Sequence, residues 1–139
     1  MVVCYTFDMS DTTTPELKMK KIAFIDDDKF LLDMYVSKFR KSGFDASAFS
    51  SAQDALDKLK DANDYDAIVF DIIMPGMDGW EFAKEFRKLN LLPKAKFVIL
   101  SNQSQQSDMK KAEEFHVDLF IIKALKTPSE VVQEINKII

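Results

Sequence analysis

The sequence predicts an α/β fold: a doubly wound, five-stranded parallel sheet with helices on both faces. Two observations carry the prediction. Five short apolar runs alternate with five stretches of helical periodicity, each strand–helix unit taking about 22 to 25 residues. The runs are also continuously apolar rather than alternating, as in strands buried on both faces. Such alternation implies right-handed crossovers and a parallel sheet. An eight-fold barrel needs about 250 residues, and this chain has 139.

The elements follow in order. Ile22-Ala23-Phe24-Ile25 is the first strand, and it ends in three aspartates. Phe30, Leu31, Met34, Tyr35, Lys38 and Phe39 then recur at helical spacing, with Gly43 placed for a left-handed cap. Phe44 to Phe49 is the second strand. Ser51-Ala52-Gln53-Asp54 opens the second helix with a capping signature, and Ala52, Ala55, Leu56 and Leu59 form its apolar stripe. Ala67-Ile68-Val69-Phe70 is the third strand. The loop Met74-Pro75-Gly76-Met77-Asp78-Gly79 leads into a helix with Trp80, Phe82, Ala83, Phe86 and Leu89 as apolar positions, Asp78 as its N-cap and Pro93 as its breaker. Phe97 to Leu100 is the fourth strand, followed by a polar stretch and a short helix near Asp108 to Phe115. Leu119 to Ile122 is the fifth. Thr127-Pro128-Ser129-Glu130 starts the last helix with a capping box and proline at N1, and Val131, Val132, Ile135, Ile138 and Ile139 supply its buried side.

Residues 1–19 read as a mobile tail and residues 20–139 as one domain. The run Val2 to Phe7 lacks a basic leader and meets Asp8 almost at once, unlike a signal peptide. No apolar run approaches the roughly 18 residues of a membrane span, and a cytoplasmic location is expected. Cys4 is the sole cysteine, so neither an internal disulfide nor a thiolate zinc site can form. The net charge is -4 and the pI about 5.0, against a general nucleic-acid surface. No output domain is expected after Ile139.

Position decides the functional reading. Asp26, Asp27, Asp71, Ser101 and Lys123 each stand just after a buried run, at the carboxyl ends of strands one, three, four and five. Open α/β sheets bind ligands in the crevice outside those ends. Any one of these residues alone reads as a helix cap or a solvated charge, as Asp28 does ahead of Phe30. Together, three carboxylates would repel and raise one another's pKa unless a cation neutralised them. Oxygen ligands without His or Cys favour a hard cation, Mg²⁺ before zinc. Lys123 and Ser101 could then serve the oxygens of a phosphoryl group. His116, the only histidine, reads as a surface or loop residue, and Trp80 as packing against the sheet.

The motifs I-D-D-D, F-D-I-I-M-P-G-M-D-G-W-E-F, V-I-L-S and F-I-I-K, in this order and spacing, resemble those of the receiver domain of two-component response regulators. The resemblance covers about residues 20 to 139. It implies a flavodoxin-like sheet of order 2-1-3-4-5 and a phosphoacceptor switch. By position, Asp71 resembles the phosphoacceptor. Asp27 and Asp71 resemble the direct Mg²⁺ ligands with the backbone carbonyl of Ile73, and Asp26 the acid that holds the metal through water. Ser101 resembles the switch hydroxyl, Lys123 the phosphate-binding lysine, and Phe120 the switch aromatic, although a plain core aromatic reads equally well there. The implied partners are a histidine kinase or phosphotransfer protein, and a downstream protein that reads the face of helix four, strand five and helix five.

Two positions depart from the pattern. The family usually has a cis proline after the lysine, where this chain has Ala124. A cis bond before alanine costs about 2.5–4 kcal/mol, so either a cis Lys123–Ala124 bond or a trans bond with a shifted lysine is expected. Asn102 stands where a small residue is usual and could narrow access to the phosphoryl group. Two alternatives stay open. One is a phosphorylation-independent binding module of the same fold. The other is a phosphatase resembling the haloacid dehalogenases, suggested by Asp26-x-Asp28. That family's Gly-Thr is here Lys29-Phe30, no aspartate follows Asp118, and the Asp71 loop is left unexplained.

Overall fold

The computed structural model describes residues 19–139. The tail expected over 1–19 therefore lies, except for Met19, outside the described residues. The strands are β1 (Lys21–Ile25), β2 (Asp45–Phe49), β3 (Ala67–Phe70), β4 (Lys96–Ser101) and β5 (Leu119–Ile122). The helices are α1 (Lys29–Lys41), α2 (Ala52–Leu59), α3 (Gly79–Lys88), α4 (Gln106–Glu114) and α5 (Pro128–Asn136), with a 3₁₀ turn over Lys123–Leu125. The sheet runs β2-β1-β3-β4-β5, and every neighbouring pair is parallel. This is the expected doubly wound order.

Two apolar layers cover the sheet. On one face, α1 and α5 enclose Ile22, Phe24, Val69, Val98 and Leu100. On the other, α2 and α3 pack on Ala23, Ile25, Ile68, Phe70, Phe97 and Ile99. Phe70, Phe82, Phe86 and Phe97 are all but fully buried and form a ring cluster, with centroids 4.6 to 6.2 Å apart. Aromatic pairs at such spacings contribute beyond their burial.

Local chemistry sets the helix ends. The Asp28 carboxylate accepts from the N–H groups of Phe30 and Leu31 at the start of α1. Gly43 follows α1 with φ of 94°, a conformation that burdens any residue with a Cβ. Asp78 and Glu81 form a reciprocal capping box on α3, as do Thr127 and Glu130 on α5.

Two expectations need correction. The buried stripe of α1 is Leu32, Tyr35, Val36 and Phe39, whereas Phe30 is 79% exposed. Phe30 sits in the first turn, beyond the reach of the sheet. Second, α3 stops at Lys88, well before Pro93, because Asn90 turns to φ of 53°. Leu89, expected on the apolar side, is exposed as a result. Trp80 is buried in the layer packed on the sheet, as expected, and it also stacks on Phe115 at the end of α4 with centroids 6.0 Å apart.

Candidate functional site

The parallel strands deliver their last residues to one edge. Asp26 follows β1, and its backbone N–H donates to the Phe49 carbonyl. Asp71 follows β3, the neighbour of β1, and its N–H donates to the Ile25 carbonyl. Ser101 ends β4 opposite Ile122, so Lys123 begins one residue beyond on β5. The sheet register therefore brings Asp26, Asp71, Ser101 and Lys123 together.

Lys123 Nζ lies 2.7 Å from Asp26 Oδ2 and 2.9 Å from Asp71 Oδ2. All three side chains are close to nine-tenths buried or more. Such charge-assisted bonds are the strong class, and an unpaired charge here would be costly. Burial raises the Asp26 carboxyl above its usual value, against the lowering effect of Lys123 and of the Asp28 N–H. For Lys123, burial lowers the ammonium, but its bonds to Asp26 and Asp71 outweigh that and leave the value raised. Lys123 is thus a fixed cation between two acids.

The remaining oxygens are also engaged. Asp26 Oδ1 accepts from Asp28 N–H at 3.0 Å. Asp71 Oδ1 accepts from Ile72 N–H at 2.7 Å and from Ile73 N–H at 3.4 Å. The loop after β3 therefore wraps the Asp71 carboxylate with its own backbone. Among the described residues the Ile73 carbonyl accepts no hydrogen bond. Gly76 takes φ of 76°, a conformation the loop's composition offers equally to Gly79, but Gly79 does not take a positive φ. Its need is different: a Cβ there would stand 2.3 Å from the Asp71 carbonyl oxygen, and its N–H donates to the Ile72 carbonyl at 2.7 Å. Only glycine lets α3 start this close beneath the site.

Asp26, Asp27 and Asp71 each offer a carboxylate oxygen, all within 4.8 Å of one another. Asp27 is exposed and has no ion pair among the described residues. This all-oxygen donor set, with one acid open to solvent, fits a hard divalent cation and could hold Mg²⁺.

The other expected residues are placed as follows. Ser101 is 1% exposed, and its Oγ accepts from Gln103 N–H at 3.2 Å. Phe120 is half-buried against the layer that holds α2 and α3, neither sealed in the core nor free. His116 is exposed, with φ of 56°. The Lys123–Ala124 bond is trans, and the lysine still reaches Asp71, so the expected shift of a trans lysine does not occur. The 3₁₀ turn over Lys123–Leu125 absorbs the change of direction after β5.

Two features escaped the sequence reading. Asn102 Oδ1 accepts from Ala124 N–H at 2.8 Å, joining the two departures. Asp108, read only as a helix start, is 2% exposed and accepts from Trp80 Nε1 at 3.0 Å, Gln103 Nε2 at 3.2 Å and Gln105 N–H at 3.0 Å. Linear spacing carries no sign of either, since each joins separate elements.

Comparison with known proteins gives the lineage. A family model described as the response regulator receiver domain matches residues 22–136. Chemotaxis protein CheY of Thermotoga maritima is 31% identical over 120 residues, covering 86% of this chain and 97% of that one. Response regulator SaeR of Staphylococcus aureus is 28% identical over 122 residues, but this chain spans about half of SaeR (51%) and 87% of itself is covered. Among solved structures, Vibrio cholerae CheY4 superposes with a TM-score of 0.80 at 20% identity, over 88% of this chain and 100% of that one. A CheY-like receiver domain from Methanospirillum hungatei gives 0.79 at 22% identity, covering 86% of this chain and 93% of that one. At such identities the structural likeness speaks for the fold. The family match and the T. maritima relative, on top of the acidic edge built by β1 and β3, show that this chain belongs to the response regulator receiver domains of two-component signalling.

Proposed function

We propose that this receiver domain is a phosphoacceptor switch in which Asp71 takes a phosphoryl group from a phosphohistidine donor, on a histidine kinase or phosphotransfer protein, in a Mg²⁺-dependent reaction. The observation that carries the proposal is the Lys123 ammonium set between Asp26 and Asp71 at 2.7 and 2.9 Å, beside a third acid, Asp27. Asp26, Asp27, Asp71 and the Ile73 carbonyl would hold the metal. Bound there, Mg²⁺ supplies charge neutralisation for the transferring phosphoryl oxygens.

The chain's own groups do the rest. A carboxylate oxygen of Asp71 attacks phosphorus, the N–P bond breaks, and the donor imidazole leaves with its electron pair. Asp71 is a weak nucleophile made competent by position, so catalysis is chiefly alignment and electrostatics. The backbone bonds from Ile72 and Ile73 hold its carboxylate in one orientation. Lys123 turns its ammonium to the arriving oxygens. Water later attacks phosphorus and releases phosphate, which resets the switch.

For the readout, the Ser101 hydroxyl gives up the Gln103 N–H and turns toward the phosphoryl group. Phe120 follows into the vacated space, and the face of α4, β5 and α5 changes for a downstream protein. The donor docks over the carboxyl edge, where Phe30, Ile73 and Leu125 are 79%, 58% and 70% exposed around the acids. The reading places the protein in the cytoplasm and gives it no nucleic-acid or membrane partner. Among the described residues no helix is long and apolar enough to cross a membrane.

Incubation with Mg²⁺ and acetyl phosphate, followed by intact-mass measurement, tests the proposal. Wild-type protein gains one phosphoryl group and Asp71→Asn gains none. No gain by the wild type would move the assignment to a phosphorylation-independent binding module.

A further inference from the structure

The two departures from the family pattern stand beside each other in space. Asn102 directly follows Ser101 at the end of β4, and Ala124 directly follows Lys123 beyond β5. Ser101 is the register partner of Ile122, so Asn102 comes alongside the Lys123–Ala124 peptide. Its Oδ1 accepts from Ala124 N–H at 2.8 Å. That donor exists only because residue 124 is not proline.

The bond fills a specific vacancy in the backbone. Ala124 is the middle residue of the 3₁₀ turn, whose opening N–H groups find no partner within so short a helix. The bond at its C-terminal end, from Lys126 N–H to the Lys123 carbonyl, is long at 3.4 Å. With a trans bond and no proline ring, little else local fixes the direction in which the chain leaves Lys123. Yet the Lys123 ammonium is held between two acids on other strands.

We propose that Asn102 is a positioning residue for Lys123: by accepting the Ala124 N–H it fixes the trans peptide that aims the ammonium at Asp71, a restraint that a proline at 124 would otherwise impose. This rests on the role given to Lys123 under Proposed function. Asparagine suits the task because its amide oxygen accepts without adding a negative charge beside Asp26, Asp27 and Asp71. The same bond ties the residue after Ser101 to the lysine loop, so the two halves of the site share one support.

The test compares wild type, Asn102→Ala, Asn102→Asp, Ala124→Pro and the Asn102→Ala/Ala124→Pro double variant. Three readouts are used: Ala124 amide hydrogen exchange, the NMR signal of the Lys123 side chain, and the rate of Asp71 phosphorylation against acetyl phosphate concentration with Mg²⁺. Asn102→Ala should speed Ala124 exchange about fivefold, the scale of one modest hydrogen bond. It should also shift the Lys123 signal and lower the saturating rate rather than raise the half-saturating concentration. Asn102→Asp keeps an acceptor and should retain the exchange protection. In the Ala124→Pro background, Asn102→Ala should change neither the Lys123 signal nor the rate. An unchanged Lys123 signal in Asn102→Ala overturns the proposal, as does an equal effect of that substitution in both backbones. Asn102 is exposed, so the variants should fold. If the wild type accepts no phosphoryl group, the functional reading falls, and the Lys123 signal still decides whether Asn102 positions that lysine.

Discussion

Gly79→Ala is expected to damage both the stability and the chemistry of this domain. An added Cβ would meet the Asp71 carbonyl oxygen at 2.3 Å and the Ile72 Cα at 2.7 Å, both of them backbone atoms. Restoring even 3.0 Å needs a retreat of 0.7 Å. A shift of the residue that carries the Cβ also disturbs the 2.7 Å bond from its N–H to the Ile72 carbonyl. A forced backbone shift of this kind costs about 1–3 kcal/mol. The weakened hydrogen bond adds about 1 kcal/mol. The sum is about 3 kcal/mol, or a fall in Tm of about 12 °C at roughly 4 °C per kcal/mol for a domain of this size. Gly43→Ala is the control, since it has φ of 94° but nothing within 4 Å of its Cβ. It pays only the left-handed penalty of about 1–2 kcal/mol. Urea unfolding of both variants gives the comparison, and phosphoryl uptake from acetyl phosphate should fall only in Gly79→Ala. A Gly79→Ala protein that is no less stable than Gly43→Ala would refute the close-approach argument.

Two further outcomes follow from the charges and from the tie between α3 and α4. Burial raises the Asp26 carboxyl from its usual 3.8, with Lys123 and the Asp28 N–H pulling the other way. A folded value above the unfolded one means Asp26 supports the fold most when protonated, below pH 3.8, and that this support is lost as pH climbs through the raised value. Asp26→Asn should therefore raise the metal-free urea midpoint at pH 7 while weakening Mg²⁺ binding, and the gain in midpoint should shrink toward acid pH. A lower midpoint than wild type at pH 7 would contradict this. Asp108→Ala leaves the Trp80 indole N–H buried without its acceptor and should cost about 1–3 kcal/mol, with a shift in tryptophan emission. Asp108→Asn keeps an acceptor and should lose less, and equal losses in the two variants would count against the hydrogen-bond explanation.

The strands were legible because each is a short apolar run closed by a polar residue, and a parallel register makes those closing residues meet. Asp26, Asp71, Ser101 and Lys123 could thus be assembled from spacing alone. What spacing hides is any contact whose partners lie on separate elements. The Asn102–Ala124 bond joins the ends of β4 and β5 across 22 positions, and Asp108 meets Trp80 across 28. Phe30 misled for another reason: periodicity marks a helix face but not where the sheet beneath it ends. Gly79 shows a third limit, since a glycine required for close approach looks the same in sequence as one required for positive φ.

The helix α4 has one residue fully withdrawn from water, and it is Asp108, a polar one. The neighbouring strand β5 contributes only Ile121 to the sealed interior. This flank is fastened by a few polar ties, whereas the neighbouring β3, α3 and β4 are clamped by a wall of phenylalanines. Polar ties can be traded for water at small net cost, but an aromatic wall cannot be loosened without opening a void. Slack is therefore concentrated along a single border of an otherwise stiff body.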